Sequence, residues 1–151
     1  MRIFLLTLFS LGVMSAHAQD AATAVAAGTP ITLPGKALVK LEKMLKQTMT
    51  EVVLGRRGSA LPAEARPMLN KILVQSATEF LTVSTHKPTK EAYYKSVDTG
   101  LARLAPLVPQ LEDRQQVAEY YQDLLDIVGI ESSEGRLTAF VEGTNVTAVT
   151  K

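Results

Sequence analysis

Asp113-Arg114-Gln115-Gln116-Val117-Ala118-Glu119-Tyr120-Tyr121-Gln122-Asp123-Leu124-Leu125-Asp126-Ile127-Val128-Gly129 reads as a single amphipathic helix. Val117, Tyr120, Tyr121, Leu124, Leu125 and Val128 recur at steps of three and four residues, which stacks them on one face. Glu119, Asp123 and Asp126 share another face. Asp113 and Gln116 have the spacing of a capping box, so the helix is expected to start there. Gly129 suits its stop, because glycine readily takes the left-handed conformation that ends helices.

The same period recurs on both sides of this helix. Leu38, Leu41, Leu45, Met49, Val52 and Val53 form the apolar stripe of a first helix, with Lys36, Lys40 and Lys43 on its other side. Gly55-Arg56-Arg57-Gly58 stops it. A second helix is predicted to begin between Pro62 and Pro67, since proline is tolerated in a first turn. Its stripe is Met68, Leu69, Ile72, Leu73, Ala77, Phe80 and Leu81, and Thr85-His86-Lys87-Pro88 breaks it. Thr89 caps a third helix, with Glu91 in its first turn. That helix carries Tyr94, Val97, Leu101, Leu104 and Leu107 or Val108, is weakened at Gly100, and is ended by Pro106 and Pro109. Ser132 or Ser133 caps a short fifth helix with Leu137, Phe140 and Val141, closing at Gly143. No segment offers alternating strands joined by hairpin turns. The expectation is an all-α fold over residues 36–143: a compact bundle of four main helices plus a short C-terminal fifth helix, with antiparallel neighbours.

The start of the chain has a different character. Met1-Arg2, the apolar run from Ile3 to Met14, and Ser15-Ala16-His17-Ala18 give the charged start, apolar centre and small-residue cleavage site of a secretory signal peptide. The run is about a dozen residues, short of the roughly 20 that a spanning helix needs. Residues 1–18 are therefore expected to be a signal peptide cleaved after Ala18. The product is expected to be periplasmic or secreted, to begin at Gln19, and to keep no stable membrane anchor. Residues 19–35, rich in Ala, Thr and Gly, read as a flexible lead-in, and residues 144–151 as a loose tail.

Composition narrows the chemistry. The chain has 151 residues, 46% of them apolar, with no Cys and no Trp. That length fits one domain. Loss of residues 1–18 leaves basic and acidic side chains in balance and His86 as the only histidine. Zinc and copper sites need more Cys or His than that. His86 has no Glu three residues before it, so the Glu-x-x-His pattern of di-iron bundles is missing. Three carboxylates on one rigid helix make a poor calcium cage. No G-x-S-x-G elbow occurs, and a histidine in a proline-flanked loop is by default an exposed one. Carboxylate pairs arise by chance among 15 acidic residues and carry no specificity. Gly55-Arg56-Arg57-Gly58 has the outline of a loop that clamps nucleic-acid backbone, but it lacks the accompanying sheet and reads as a solvated turn. No catalytic residue, cofactor, metal or nucleic-acid partner is expected.

Tyrosines and charge are more telling. The four Tyr form the pairs Tyr93-Tyr94 and Tyr120-Tyr121. Neighbours on a helix diverge by about 100°, so one of each pair is expected inside and the other at a boundary, where it packs between helices or rims a groove. Residues 36–57 carry six basic and two acidic side chains, whereas residues 112–142 carry eight acidic and two basic ones. Either the first and fourth helices pack together and compensate each other, or the acidic region faces a basic partner and steers its approach. The first helix, with lysines and no aromatic residue, makes a weak lipid-binding face. Free N–H groups at the start of the fifth helix suit an anion, but Glu131 and Glu134 oppose one.

Tyr120-Tyr121, Leu124 to Asp126, Val128-Gly129-Ile130-Glu131-Ser132-Ser133, Leu137, Phe140 and Gly143 resemble the C-terminal signature of an uncharacterised family of small bacterial helical proteins. Arg66-Pro67-Met68-Leu69-Asn70 resembles an earlier helix start of the same family. The resemblance covers roughly residues 36–143 and implies an all-helical domain and a bacterial source; it implies no activity. The residues themselves favour an exported, non-catalytic interaction protein in an inhibitor, immunity-type or adaptor role. Glu119, Asp123, Asp126, Glu131 and Glu134 are the expected contact surface for an exported partner with a basic surface. The alternatives are a small carboxylate-dependent hydrolase and a carrier of an apolar small molecule.

Overall fold

The computed structural model describes residues 28–50 and 61–144. They form five α-helices: α1 (Ala37–Thr50), α2 (Arg66–His86), α3 (Lys90–Leu104), α4 (Leu111–Ile127) and α5 (Arg136–Glu142). A 3-10 turn, Ala105–Leu107, prolongs α3 into Pro106. No strand occurs among the described residues, and the fold is an all-α bundle. α1 packs on α2, α2 on α3 and α4 on α5; α1 also meets α4, and α3 meets α5. None of these helices is long and apolar enough to cross a membrane. The expected signal peptide, Val52, Val53, the Gly55–Gly58 turn and the tail beyond Thr144 lie outside the described residues.

The inner face of α4 follows the sequence period throughout. Val117, Tyr120, Tyr121, Leu124, Leu125 and Val128 are all buried, together with Leu69, Leu73, Ala77 and Phe80 of α2 and Val97, Leu101 and Leu104 of α3. Gly129 takes a left-handed φ of 81° and ends α4 as expected. The start of α4 differs. The helix begins at Leu111 after Gln110, and Asp113 is not its cap but a fully buried residue of its first turn. The break at Pro109 precedes the capping-box signal, and an acid in the first turn suits the helix dipole as well as one at the cap.

Helix α1 is rotated relative to its expected stripe. Ala37, Leu41 and Thr48 are buried and Met44 and Leu45 partly so, whereas Leu38 and Met49 are exposed at 40% and 67%. At about 100° per residue, Ala37, Leu41, Met44 and Thr48 cluster within about 60°, and Leu38 and Met49 fall at the edge of that face. Thr48 holds the rotation: its hydroxyl lies 2.9 Å from the Tyr120 hydroxyl. Met68, expected inside α2, is likewise exposed, because it lies about 100° round the helix from Leu69, outside the arc of Leu69, Leu73, Ser76 and Phe80 that is buried.

The connections carry two further corrections. Thr89 caps α3 as expected, accepting from the Ala92 amide at 3.2 Å. α5, by contrast, does not start at Ser132 or Ser133, although Ser133 Oγ accepts from the Leu137 amide of its first turn at 3.5 Å. It begins after Gly135, whose φ is 81°, and Glu134 before it also takes a left-handed φ of 52°. Ser132 Oγ instead accepts from the Glu134 amide at 3.1 Å and fixes that turn. Of the expected lead-in, residues 28–35 are tied to the domain although most of them are exposed. Ile31 N–H donates to Pro88 O, Lys90 N–H donates to Thr29 O, and Ile31 and Leu33 lean on the core.

Candidate functional site

The five acidic residues of the expected partner surface separate into groups. Glu119, Asp123 and Asp126 are exposed on α4. Asp126 accepts a hydrogen bond from Gln122 Nε2 at 2.7 Å, one helical turn back. The Asp123 carboxyl is raised above its ordinary value by partial desolvation, and then by the charges of Asp126 and Glu119. These three carboxylates thus form one repelling cluster. Glu131 is exposed in the loop that follows.

Glu134 belongs to a different assembly, one that sequence reasoning missed. Its carboxylate lies 2.6 Å from Lys90 Nζ and 3.4 Å from Arg136 Nη1. The Lys90 hydrogen bond is the main reason its carboxyl is held below the usual range. Arg136 also pairs with Asp98 at 3.1 Å, and its guanidinium lies 4.0 Å from the centroid of the Tyr94 ring. Lys90 lies 5.3 Å from the same centroid. The Tyr94 hydroxyl donates to Ser132 O at 2.7 Å. A surface cleft of about 490 Å³ opens here, lined by Thr29, Lys90, Tyr94, Asp98 and Arg136 among others. Lys90, Tyr94 and Asp98 sit one turn apart along α3, a signal present in the sequence. Their partners lie far along the chain, which the sequence does not reveal.

The charges of Lys90, Asp98, Glu134 and Arg136 in this cleft are paired, although Asp98 Oδ1 is buried without a hydrogen-bond donor. Cations neutralise Asp98 and Glu134, and Glu134 is thereby held ionised, the wrong state for a proton donor at neutral pH. Tyr94 is buried with its expected stripe, but no tyrosine is left at a boundary: all four are buried, Tyr93 included. Arg136 and Lys90 cover Tyr94, and α1 covers Tyr120 through Thr48. A second surface cleft, about 510 Å³, runs between α2 and α3, where Thr78, Thr82 and Val83 face Ser96 and Thr99. His86 is exposed at the end of α2, with Nδ1 2.9 Å from Thr82 O. Among the described residues, no three His, Cys, Asp or Glu side chains are grouped to hold a metal.

The charge asymmetry of the sequence survives folding. α1 and α4 do pack, and they meet through Thr48 and Tyr120. Lys36, Lys40, Lys43 and Lys46 are all exposed.

The structure is similar to the crystal structure of a DUF3571 family protein from Acinetobacter baumannii AYE. The TM-score is 0.61 at 28% sequence identity, over 72% of this chain and 93% of that one. None of the curated proteins compared with the chain matches it. The sequence profile of a domain of unknown function, DUF4844, matches residues 32–145. The helices, their buried tyrosines and the α4–α5 turn all fall inside that match, and the chain belongs to the DUF4844 family.

Proposed function

We propose that the chain is an exported, non-catalytic interaction module, of the inhibitor, immunity or adaptor kind, whose α4 carboxylates meet a basic surface on a partner. One observation carries this reading. Glu119, Asp123 and Asp126 crowd one exposed face of α4, where partial desolvation, and then the charges of Asp126 and Glu119, raise the Asp123 carboxyl, while the opposite face of the helix is locked in the core. A like-charged cluster that costs energy in the free protein is relieved by an opposite charge, which favours association and its rate.

Oligolysine is the test ligand. Asp123→Asn with Asp126→Asn should slow its association at low salt, and the difference should shrink as salt screens the charges. The helical circular dichroism of the variant should match the parent, because exposed charges contribute little to stability. An unfolded variant would make these residues structural. An unchanged association rate would reduce the face to solvated surface. The second reading, a carrier of an apolar small molecule, has the α2–α3 cleft in its favour, since about 510 Å³ is ligand-sized. Co-purification of a lipid-like ligand without any salt-dependent oligolysine binding would select it.

A further inference from the structure

Resting on the carrier reading of the α2–α3 cleft, and independent of the α4 face, we infer that this cleft binds a single-chain amphiphile with a carboxylate head, such as a fatty acid anion, and that Lys95 and Thr99 hold the head. The cleft is apolar although threonine and serine line it. Thr78 Oγ1 donates to Val74 O and Thr82 Oγ1 to Thr78 O, both at 2.9 Å, and Ser96 Oγ donates to Ala92 O at 3.2 Å. Hydroxyls bonded back to their own helix leave carbon to face the cleft beside Val83, and the lining is mainly carbon. A volume of about 510 Å³ suits one small apolar molecule.

The polar groups around the cleft are of two kinds. Glu79 takes Arg103 at 3.0 Å and the Gln75 amide at 3.3 Å, so its charge is neutralised. Lys95 and Thr99, one turn apart on α3, differ. Among the described residues, neither side chain makes a hydrogen bond or an ion pair. Glu91, one turn before Lys95, has its carboxylate against Gly28 instead. Lys95 and Thr99 line both this cleft and the charged one at Tyr94, so an ammonium and a hydroxyl without partners stand at the border of an apolar groove. Lys95 supplies one unpaired positive charge, which matches one carboxylate. A phosphate head asks for a second cation, and Lys90 and Arg136 are committed to Glu134 and Asp98. A neutral apolar ligand leaves both donors unused.

Calorimetric titration of the full chain with decanoate tests this. Decanol, with the same chain and no charge, and acetate, with the charge and no chain, are the controls. Decanoate should bind at one site per chain. Lys95→Met should weaken it about tenfold or more, the usual contribution of a hydrogen bond to a charged group, and leave decanol unchanged. Lys95→Arg should keep decanoate bound. Thr82→Gln, which lays a longer side chain over the cleft, should weaken decanoate and decanol alike. Lys95 and Thr82 are both exposed, so the variants should keep parental circular dichroism. Decanoate and decanol binding equally well, with no effect of Lys95→Met, overturns the inference and leaves the carrier reading standing. Failure of both to bind overturns the two together. Acetate binding as tightly as decanoate, or Thr82→Gln without effect, also overturns it, because no tail then occupies the cleft. A parent that binds no decanoate but dimerises in sedimentation velocity, with Thr82→Gln monomeric, overturns it in favour of a second copy.

Discussion

The Tyr121 hydroxyl lies 2.6 Å from Ser76 Oγ, in a space that exists because residue 100 of α3 is glycine. Ser76 also reaches Ile72 O at 3.1 Å. With its proton directed there, the tyrosine hydroxyl is the donor in the pair. Ser76→Ala strands a buried phenol and should cost about 1–3 kcal/mol, whereas Tyr121→Phe leaves Ser76 its carbonyl and should cost about 1 kcal/mol. Urea titrations of the two variants check the order; Tyr121→Phe being the more damaging would refute the donor assignment.

Gly100 follows from the same contact. A Cβ built there strikes the Tyr121 hydroxyl and comes within 2.8 Å of Ser76 Oγ. Gly100→Ala should therefore destabilise by about 1–3 kcal/mol despite alanine's higher helix propensity, the cost of overpacking a core. Combining it with Tyr121→Phe should recover part of that loss. Full additivity of the two costs would mean that they do not share this space.

Alkaline pH should unfold the protein through its tyrosines. Burial pushes the Tyr120 hydroxyl up to about 12, and Tyr121, Tyr93 and Tyr94 are raised by the same cause. The folded state favours the neutral phenol, so this stability is fully present below the unfolded value near 10 and is lost as pH rises toward about 12. For Tyr120 alone the loss is about 3 kcal/mol. Loss of helical circular dichroism should coincide with the rise in tyrosinate absorbance. Tyrosinate forming while the helices persist would contradict it.

Arg136→Ala should cost about 1–2 kcal/mol, since it removes both the Asp98 ion pair and the cation over Tyr94. Arg136→Lys should fall between, because lysine keeps the charge but not the planar stacking. Thermal melts give the ranking; equal losses for the two would assign the effect to guanidinium geometry alone.

Asp123→Asn should leave stability unchanged or raise it slightly at neutral pH. The folded-state carboxyl is raised, so ionising it disfavours the native state above the ordinary carboxylate range. The advantage of the variant should vanish as pH falls and the parent's Asp123 takes up a proton. A clear destabilisation at neutral pH would show that the charge supports the fold.

The buried face of α4, the Thr89 cap and the break at His86 were legible in the sequence, because each depends on neighbours within two turns. The rotation of α1 was not, since its choice of face is made by Tyr120, 72 residues away from Thr48. Periodicity chose Leu38 and Met49 for the stripe and passed over Ala37 and Met44. The role of Gly100 was hidden for the same reason: a glycine in a helix reads as a weakness until the phenol that fills its space is known. The acidic cluster on α4 could be read from spacing alone. The capture of Glu134 by Lys90 could not, because two left-handed residues turn the loop toward α3.

α5 spans seven residues, from Arg136 to Glu142, too few to sustain a helix unaided. It stays formed because Leu137 and Phe140 enter the core and because Tyr94 grips Ser132 and Arg136 ahead of it. Its amide protons therefore exchange with solvent as a group, at a rate set by release of that grip and not by unfolding of the α2–α4 core. In deuterium the C-terminal helix is labelled before the inner turns of α4, and Tyr94→Phe, by freeing the Ser132 carbonyl, hastens that labelling while the core keeps its protons.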